Sequence, residues 1–229
     1  MREAIVHVTR ALTFRVSAED AAKYGRWHFA IGMALTMLAG VGRWWDDPNA
    51  LVPQKTGLVS LVYVFMLSLW LWVFAAPLAK GAIHFGQVVV YVMMTSPVAF
   101  VYALPVERWE SPQEAAILNV QLLGLVATWR VTMYILFLKR AARLTWFRTL
   151  GAALLPVSAV ICALSLARIG DEVARDMGGV RESTVPGAAE QALDLVFACA
   201  WLVFPIVLVC WLWALISNLR GVSEIGSTE

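Results

Sequence analysis

Charge is scarce in this sequence. Asp, Glu, Lys and Arg make up 15% of its 229 residues, against about 25% in a soluble globular chain. Histidine and cysteine are scarcer still, at three each. No carboxylate stands at ligand spacing from His7, His28 or His84, and Cys162, Cys199 and Cys210 lie in apolar runs without a CxxC pair. This excludes a disulfide framework and a zinc-type centre. No HExxH, GxSxG, phosphate-binding loop or GxGxxG motif occurs in a workable context. No cofactor, metal or nucleic-acid partner is therefore expected. No cleavable leader is expected either: "MREAIVHVTRALTFRV" is interrupted by Arg10 and Arg15 and has no small-residue cleavage site. The N-terminus is expected to be retained.

What the chain has in quantity is hydrocarbon. Apolar residues reach 60%, the mean hydropathy is +0.71, and there are 11 Trp. A helical membrane span needs about 20 mostly apolar residues. Six segments qualify or nearly qualify: 27–43, 57–79, 87–105, 117–138, 149–167 and 193–217. The expected fold is all-α, a polytopic transmembrane bundle of about six spans. Residues 1–26 form a cytoplasmic or interfacial N-terminal segment, 27–217 the bundle and 218–229 a tail. Ser17 and Asp20 have the spacing of a capping box, and one helix is expected from about Ala18 to Trp44. In the N-terminal segment, Ile5, Val8 and Leu12 share one helical side that could rest on the bilayer surface.

Basic residues set the orientation, because short cytoplasmic loops hold the excess of Lys and Arg. Arg2, Arg10, Arg15, Lys23 and Arg26 precede the first span. Lys80, then Lys139, Arg140, Arg143 and Arg148, then Arg220 fall on the same side. Arg43, Lys55, Arg108, Arg168, Arg175 and Arg181 fall on the other. Both termini are thus expected in the cytoplasm, and the natural host for so loop-poor a chain is a bacterial plasma (inner) membrane. The acidic residues Asp46, Asp47, Glu107, Glu110, Asp171, Glu172 and Asp176 belong to the outer face, as solubilising loops or a vestibule that attracts cations. Trp27, Trp44, Trp45, Trp109, Trp146, Trp211 and Trp213 lie near span ends, where an aromatic belt is expected.

Arg130 is the one charge deep in a span, in "QLLGLVATWRVTMYILFLKR". At 1.5 Å per residue it sits about 13 Å from the Lys139 boundary. Asn119 and Tyr134 fall near it around the helix; Gln121, Gly124, Thr128 and Thr132 fall on the opposite side. Two polar stripes suggest that this span is central, packed on both faces, and a Gly32, Thr36, Gly40 stripe suggests close packing of the first. Thr95 and Ser96 lie at similar depth to Arg130, and Tyr91, Thr95 and Tyr102 share a face. Pro97 cannot donate to the Met93 carbonyl. Arg130 is expected to cap that kink and bond Tyr91 or Thr95; the alternative is an anion or headgroup site. Pro156 and Pro205 are further candidate kinks. His28 and His84 border neighbouring spans and could meet. Met33, Met37, Met93 and Met94 read as packing rather than a copper path.

Two stretches, "HFGQVVVYVMMTSPVAFVYALPVE" and "LLGLVATWRVTMYILFLKRAARLTWFRTLGAALLP", resemble the Yip family of small polytopic membrane proteins in its bacterial branch. The features are Phe85 and Gln87 at the span start, the Ser96–Pro97 pair in mid-span, and a Trp-bearing span that ends in a basic loop. They lie within roughly residues 57–165. The resemblance implies a helical bundle with a cytoplasmic N-terminus and no enzyme chemistry. Eukaryotic members act as membrane adaptors for trafficking GTPases. This chain departs from them in having six expected spans rather than five and no long N-terminal region, so GTPase binding is not carried over.

Three functions are compatible with these features. The first is a non-enzymatic adaptor or membrane-organising protein, with lipids and other membrane proteins as partners. The second is a small transporter or channel with a site near Arg130 and the Pro97 kink; Pro97 and Pro205 at comparable depth in opposed halves would suit inverted repeats. The third is an intramembrane lipid-modifying enzyme, which lacks a paired nucleophile and base. The topology has a direct test. In a cysteine-free background, single cysteines at positions 50, 110 and 175 should react with an impermeant thiol reagent from outside, and those at 3 and 225 should not. External labelling at 225 would remove one span.

Overall fold

A computed structural model describes residues 1–41, 51–101, 103–167 and 187–225. Among these residues the regular structure is wholly helical. In chain order the helices are α1 (Arg2–Leu12), α2 (Ala18–Ala22), α3 (Arg26–Gly40), α4 (Val52–Lys55), α5 (Leu58–Ala79), α6 (Phe85–Met94), α7 (Pro112–Ala141), α8 (Trp146–Ala167) and α9 (Gly187–Ile225). Two 3-10 segments, Ser96–Val101 and Val106–Arg108, lie between α6 and α7.

Among the described residues, four stretches are long and apolar enough to cross a membrane: Leu58–Ala79, Ile117–Ala141, Trp146–Ala167 and Asp194–Arg220. The other two expected spans are shorter. α3 has 15 residues, about 22 Å at 1.5 Å per residue. The apolar helical stretch that begins with α6 runs only from Phe85 to Val101.

The centre of the bundle is α6. Every residue from Val88 to Met94 is buried. α3 packs on it in parallel through its small-residue stripe. A methyl group placed on Gly32 would lie 2.8 Å from Met93 Cβ. One turn further on, the Thr36 and Ser96 hydroxyls share a 2.9 Å hydrogen bond. Gly40 reaches α5, where the same added methyl would lie 2.5 Å from Gly57 Cα. The stripe read from sequence is thus a packing seam. Met93 and Met94 are fully buried filling.

Contacts fix the direction of the other helices. Tyr91 on α6 stacks on Phe137 of α7 at 4.1 Å between centroids and donates to the Met133 carbonyl at 2.8 Å. α8 and α9 run antiparallel: Gly151 faces Trp211, and Ser165 faces Trp201. α9 runs alongside α5, with Trp211 Nε1 donating to Phe74 O at 2.9 Å and Asn218 Nδ2 to Pro77 O at 3.0 Å. α3, α6 and α8 therefore point one way, and α5, α7 and α9 the other.

Several expectations change. The helix expected from Ala18 to Trp44 is broken. Ser17 and Asp20 do form the capping box, but the α2 helix ends at Ala22 and Gly25 is extended (φ −144°) before α3 begins. The reason is that Gly25 N–H turns to the His28 side chain instead of continuing the helical ladder. The span expected over 87–105 changes helix type. It is α-helical to Met94 and 3-10 from Ser96, because Pro97 has no N–H for an i→i−4 bond. Pro156 and Pro205 instead lie inside helices that continue through them, as does Pro77.

The span carrying Arg130 is not central. Its Gln121, Gly124, Thr128 and Thr132 face is exposed, and Thr132 satisfies its hydroxyl on the Thr128 carbonyl. α1 packs on the bundle through Ala4, His7, Val8 and Ala11, while Ile5 is exposed. The face expected to meet the bilayer is therefore split. Tyr102, Trp44, Trp45, Asp46, Asp47, Asp171, Glu172 and Asp176 lie outside the described residues. Trp27, Trp109, Trp146 and Trp213 are exposed.

Two glycines on different helices test the packing. Gly32→Ala forces the α3–α6 seam apart and should lower stability by about 1–3 kcal/mol, as overpacking does. Gly124→Ala meets nothing within 4 Å, so it should be neutral or gain up to about 1 kcal/mol of helix propensity. Thermal unfolding in one detergent compares them.

Candidate functional site

α7 begins at a capping box. Ser111 accepts the Glu114 amide and Glu114 returns to the Ser111 amide and hydroxyl, with Pro112 at the first helical position. These hydrogen bonds from Ser111 hold the exposed Glu114 carboxyl below its ordinary range. From this fixed start the helix carries Arg130 down to a cavity of about 220 Å³ between α5, α6, α7 and α8. Leu67 and Leu71, Val92, Leu123, Val126, Val131, Ala153 and Val157 give it an apolar wall. Its polar groups are Arg130, Tyr63, Tyr91, Tyr134 and Thr95. Tyr63 and Ala127 are exposed, so the cavity has a rim on the side of the bundle.

Tyr91, Thr95 and Tyr134 line the cavity with Arg130, but their hydroxyls are engaged elsewhere; Ser96 and Asn119 do not line it. Tyr91 donates to the Met133 carbonyl. Tyr134 donates across to the Leu71 carbonyl of α5 at 3.0 Å. Thr95 turns back to the Val92 carbonyl at 2.9 Å. Ser96 faces Thr36 on the α3 side. Asn119 is buried nearer the start of α7 and is not part of the cavity wall. The expected bonds from Arg130 to Tyr91 or Thr95 are not formed. The physical reason is competition within the same helices: each hydroxyl finds a backbone carbonyl one turn away or directly opposite, at no cost in charge burial.

Arg130 itself is half-buried. Among the described residues it takes part in no hydrogen bond or ion pair. That separates it from the other cations near the cavity end of the bundle. Arg140 donates to the Phe14 carbonyl, and Lys139 donates to the Leu144 carbonyl at 2.8 Å and lies 5.3 Å from the Trp146 ring. Phe14 also stacks on Trp129, next to Arg130, with 5.6 Å between centroids.

Sequence reasoning found the cation and the hydroxyls but not the cavity. Tyr63 and the walls supplied by α5 and α8 were missed. Nothing local distinguishes a wall residue from a lipid-facing one in an apolar helix. The expected meeting of His28 and His84 does not occur; His28 pairs with His7. No cluster of three His, Cys, Asp or Glu suited to a metal is present among the described residues.

Comparison with protein-family models, with curated proteins and with solved structures finds no match.

Proposed function

We propose that this chain is a non-enzymatic integral membrane protein of a bacterial plasma membrane. It works through lipid contacts, and it holds an anionic amphiphile with its head on Arg130 and its chain along the apolar cavity wall. One observation carries the reading: Arg130 lacks a partner among the described residues while facing a mostly apolar cavity. A cation near mid-membrane costs about 2.5–3.5 kcal/mol on insertion scales. An anionic head would offset that cost, and five fixed guanidinium donors suit a carboxylate or phosphate. The wall favours an amphiphile over the small hydrated ion a channel would carry, because the Tyr91, Thr95 and Tyr134 hydroxyls are already spent on carbonyls and Tyr63 lies at the exposed rim.

The proposal includes six crossings with both termini cytoplasmic. The alternating helix directions support it, as does the gathering of Arg10, Arg140 and Lys139 at one end. The Yip-like architecture belongs to the proposal only as a bundle with an internal N-terminus.

Arg130 variants in nanodiscs test the site. In neutral lipid, Arg130→Ala should be at least as stable as wild type, since it removes an unpaired charge. Adding an anionic lipid at about 100 times its Kd should stabilise wild type by about 2.7 kcal/mol, Arg130→Lys by less, and Arg130→Ala not at all. Phosphatidylglycerol and oleate, added separately, distinguish a phosphate from a carboxylate head. An Ala variant that is less stable in neutral lipid, with an unchanged response to anionic lipid, would return Arg130 to a structural role.

A further inference from the structure

A second cluster of ionisable groups lies away from the cavity, where α1 meets α3. His7, Asp20 and His28 are all buried, at 3%, 4% and 7% exposure. His7 Nδ1 lies 2.8 Å from His28 Nε2, and the rings are nearly coplanar at 16°. His7 Nε2 lies 3.2 Å from Asp20 Oδ1. Gly25 N–H reaches His28 Nδ1 at 3.2 Å.

One backbone donor fixes every proton in this chain. Gly25 N–H can only donate, so His28 Nδ1 is an acceptor and the neutral ring carries its proton on Nε2. That proton points at His7 Nδ1, which must accept it. The His7 proton is then on Nε2, where it donates to Asp20. Each ring nitrogen has one role, and neither ring has a lone pair left for a further proton. The same argument rules out a metal between the rings, since His28 Nε2 is protonated.

A proton added to the pair must break something. A proton on His7 Nδ1 would face the His28 Nε2 proton. If the His28 proton moves to Nδ1 instead, it meets Gly25 N–H and the cap on α3 is lost. A positive His28 in the first turn of α3 also opposes the helix dipole.

The surrounding charges leave that conflict in place. Asp20 attracts a proton on His7, but Arg10 NH1 is bonded to the same oxygen at 2.7 Å and offsets it. Burial raises the Asp20 carboxyl, but hydrogen bonds from the Ser17 amide and hydroxyl and from Arg10 outweigh it and leave the carboxyl below its ordinary range. It stays ionised through the range in which an imidazole titrates. The Tyr24 ring packs on both histidines, and burial raises its hydroxyl so that it remains a neutral phenol. Glu3 pairs with Lys23 at 3.6 Å in solvent, and Arg26 lies over Trp27. α6 carries no charged residue, and its Gln87 is engaged with the Ala21 carbonyl at 3.1 Å. α5 brings none from Leu58 to Ala79. From α7, the near cations Lys139 and Arg140 are turned to the Leu144 and Phe14 carbonyls.

We propose that the His7–His28 pair is an acid-sensitive latch: it holds α1 on α3 while both rings are neutral and releases α1 when they gain a proton. An imidazole in water titrates near pH 6.5. Docking requires the neutral form, so the docked state is favoured above that pH and loses ground below it. The ratio of released to docked α1 rises about tenfold per pH unit for each proton taken up.

Distance measurement between spin labels tests the latch in the full chain. With Cys162, Cys199 and Cys210 replaced, labels go on exposed Thr9 of α1 and exposed Leu150 of α8, in nanodiscs at pH 8 and pH 5. Wild type should give one distance at pH 8 and a second, longer population at pH 5. The His7→Gln/His28→Gln variant cannot take up the proton. It should give the same distribution at both pH values, whether α1 is docked or free. A wild-type distribution that does not change between pH 8 and pH 5 overturns the proposal. So does a pH response that survives in the double variant.

Discussion

The close approach of α3 to α6 is the constraint on which the rest of the bundle depends. Gly32 has no side chain, so Met93 fills the space where a methyl would stand. This draws Thr36 and Ser96 within hydrogen-bonding range and places Gly40 against Gly57. Among lipid tails there is little hydrophobic gain from bringing two apolar helices together, so van der Waals fit and interhelical hydrogen bonds must do it. α6 supplies a continuous row, Val88 to Met94, that can be surrounded on all sides because none of its residues carries a charge.

A second rule operates outside that seam. Most side chains that cross between the long helices donate to carbonyls: Tyr91 to Met133, Tyr134 to Leu71, Trp70 to Pro156, Trp211 to Phe74 and Asn218 to Pro77 and Leu78. Each carbonyl has a second lone pair, so a helix accepts such a bond without giving up its own ladder. Asn218 has a further effect, satisfying carbonyls in the last turn of α5, where the helix runs out of its own donors. Arg130 departs from this pattern, a strong donor group on the cavity wall that makes no hydrogen bond among the described residues.

Much of this was legible in the sequence where chemistry is local. Apolar length marked the four long spans, Ser17 and Asp20 marked a helix start, Pro97 marked the change of helix type, and Gly32, Thr36 and Gly40 marked a seam. Partners across space were not legible. His7 and His28 are 21 residues apart, and neither has a neighbour that announces the other. The break at Gly25 was hidden because helix-compatible residues continue on both sides. The choice of α6 rather than α7 as the central helix was hidden for a different reason. In lipid, both the buried and the exposed faces of a helix are apolar, so periodicity does not separate them. The polar stripe of Gln121, Thr128 and Thr132 therefore looked buried, although its threonine hydroxyl needs only its own helix.

Arg130 and the histidine pair are two solutions to one problem, an ionisable group in a place poor in water. The guanidinium cannot shed its proton. Its cost can be relieved only by an anion or by reaching toward the interface, so its state depends on what occupies the cavity. The imidazoles can be neutral, and the Gly25 amide and Asp20 select the one proton arrangement that lets them pack. Their state depends on pH and not on any ligand. The two sites also act on different joints: Arg130 looks onto α5, α6 and α8, and the histidines join α1 to α3. Replacing one should leave the other's response intact, unless α6, which touches both regions, moves. Rigid packing of α6 by Gly32 and Met93 works against such movement. The bundle core thus insulates a permanent charge on one side from a switchable one on the other.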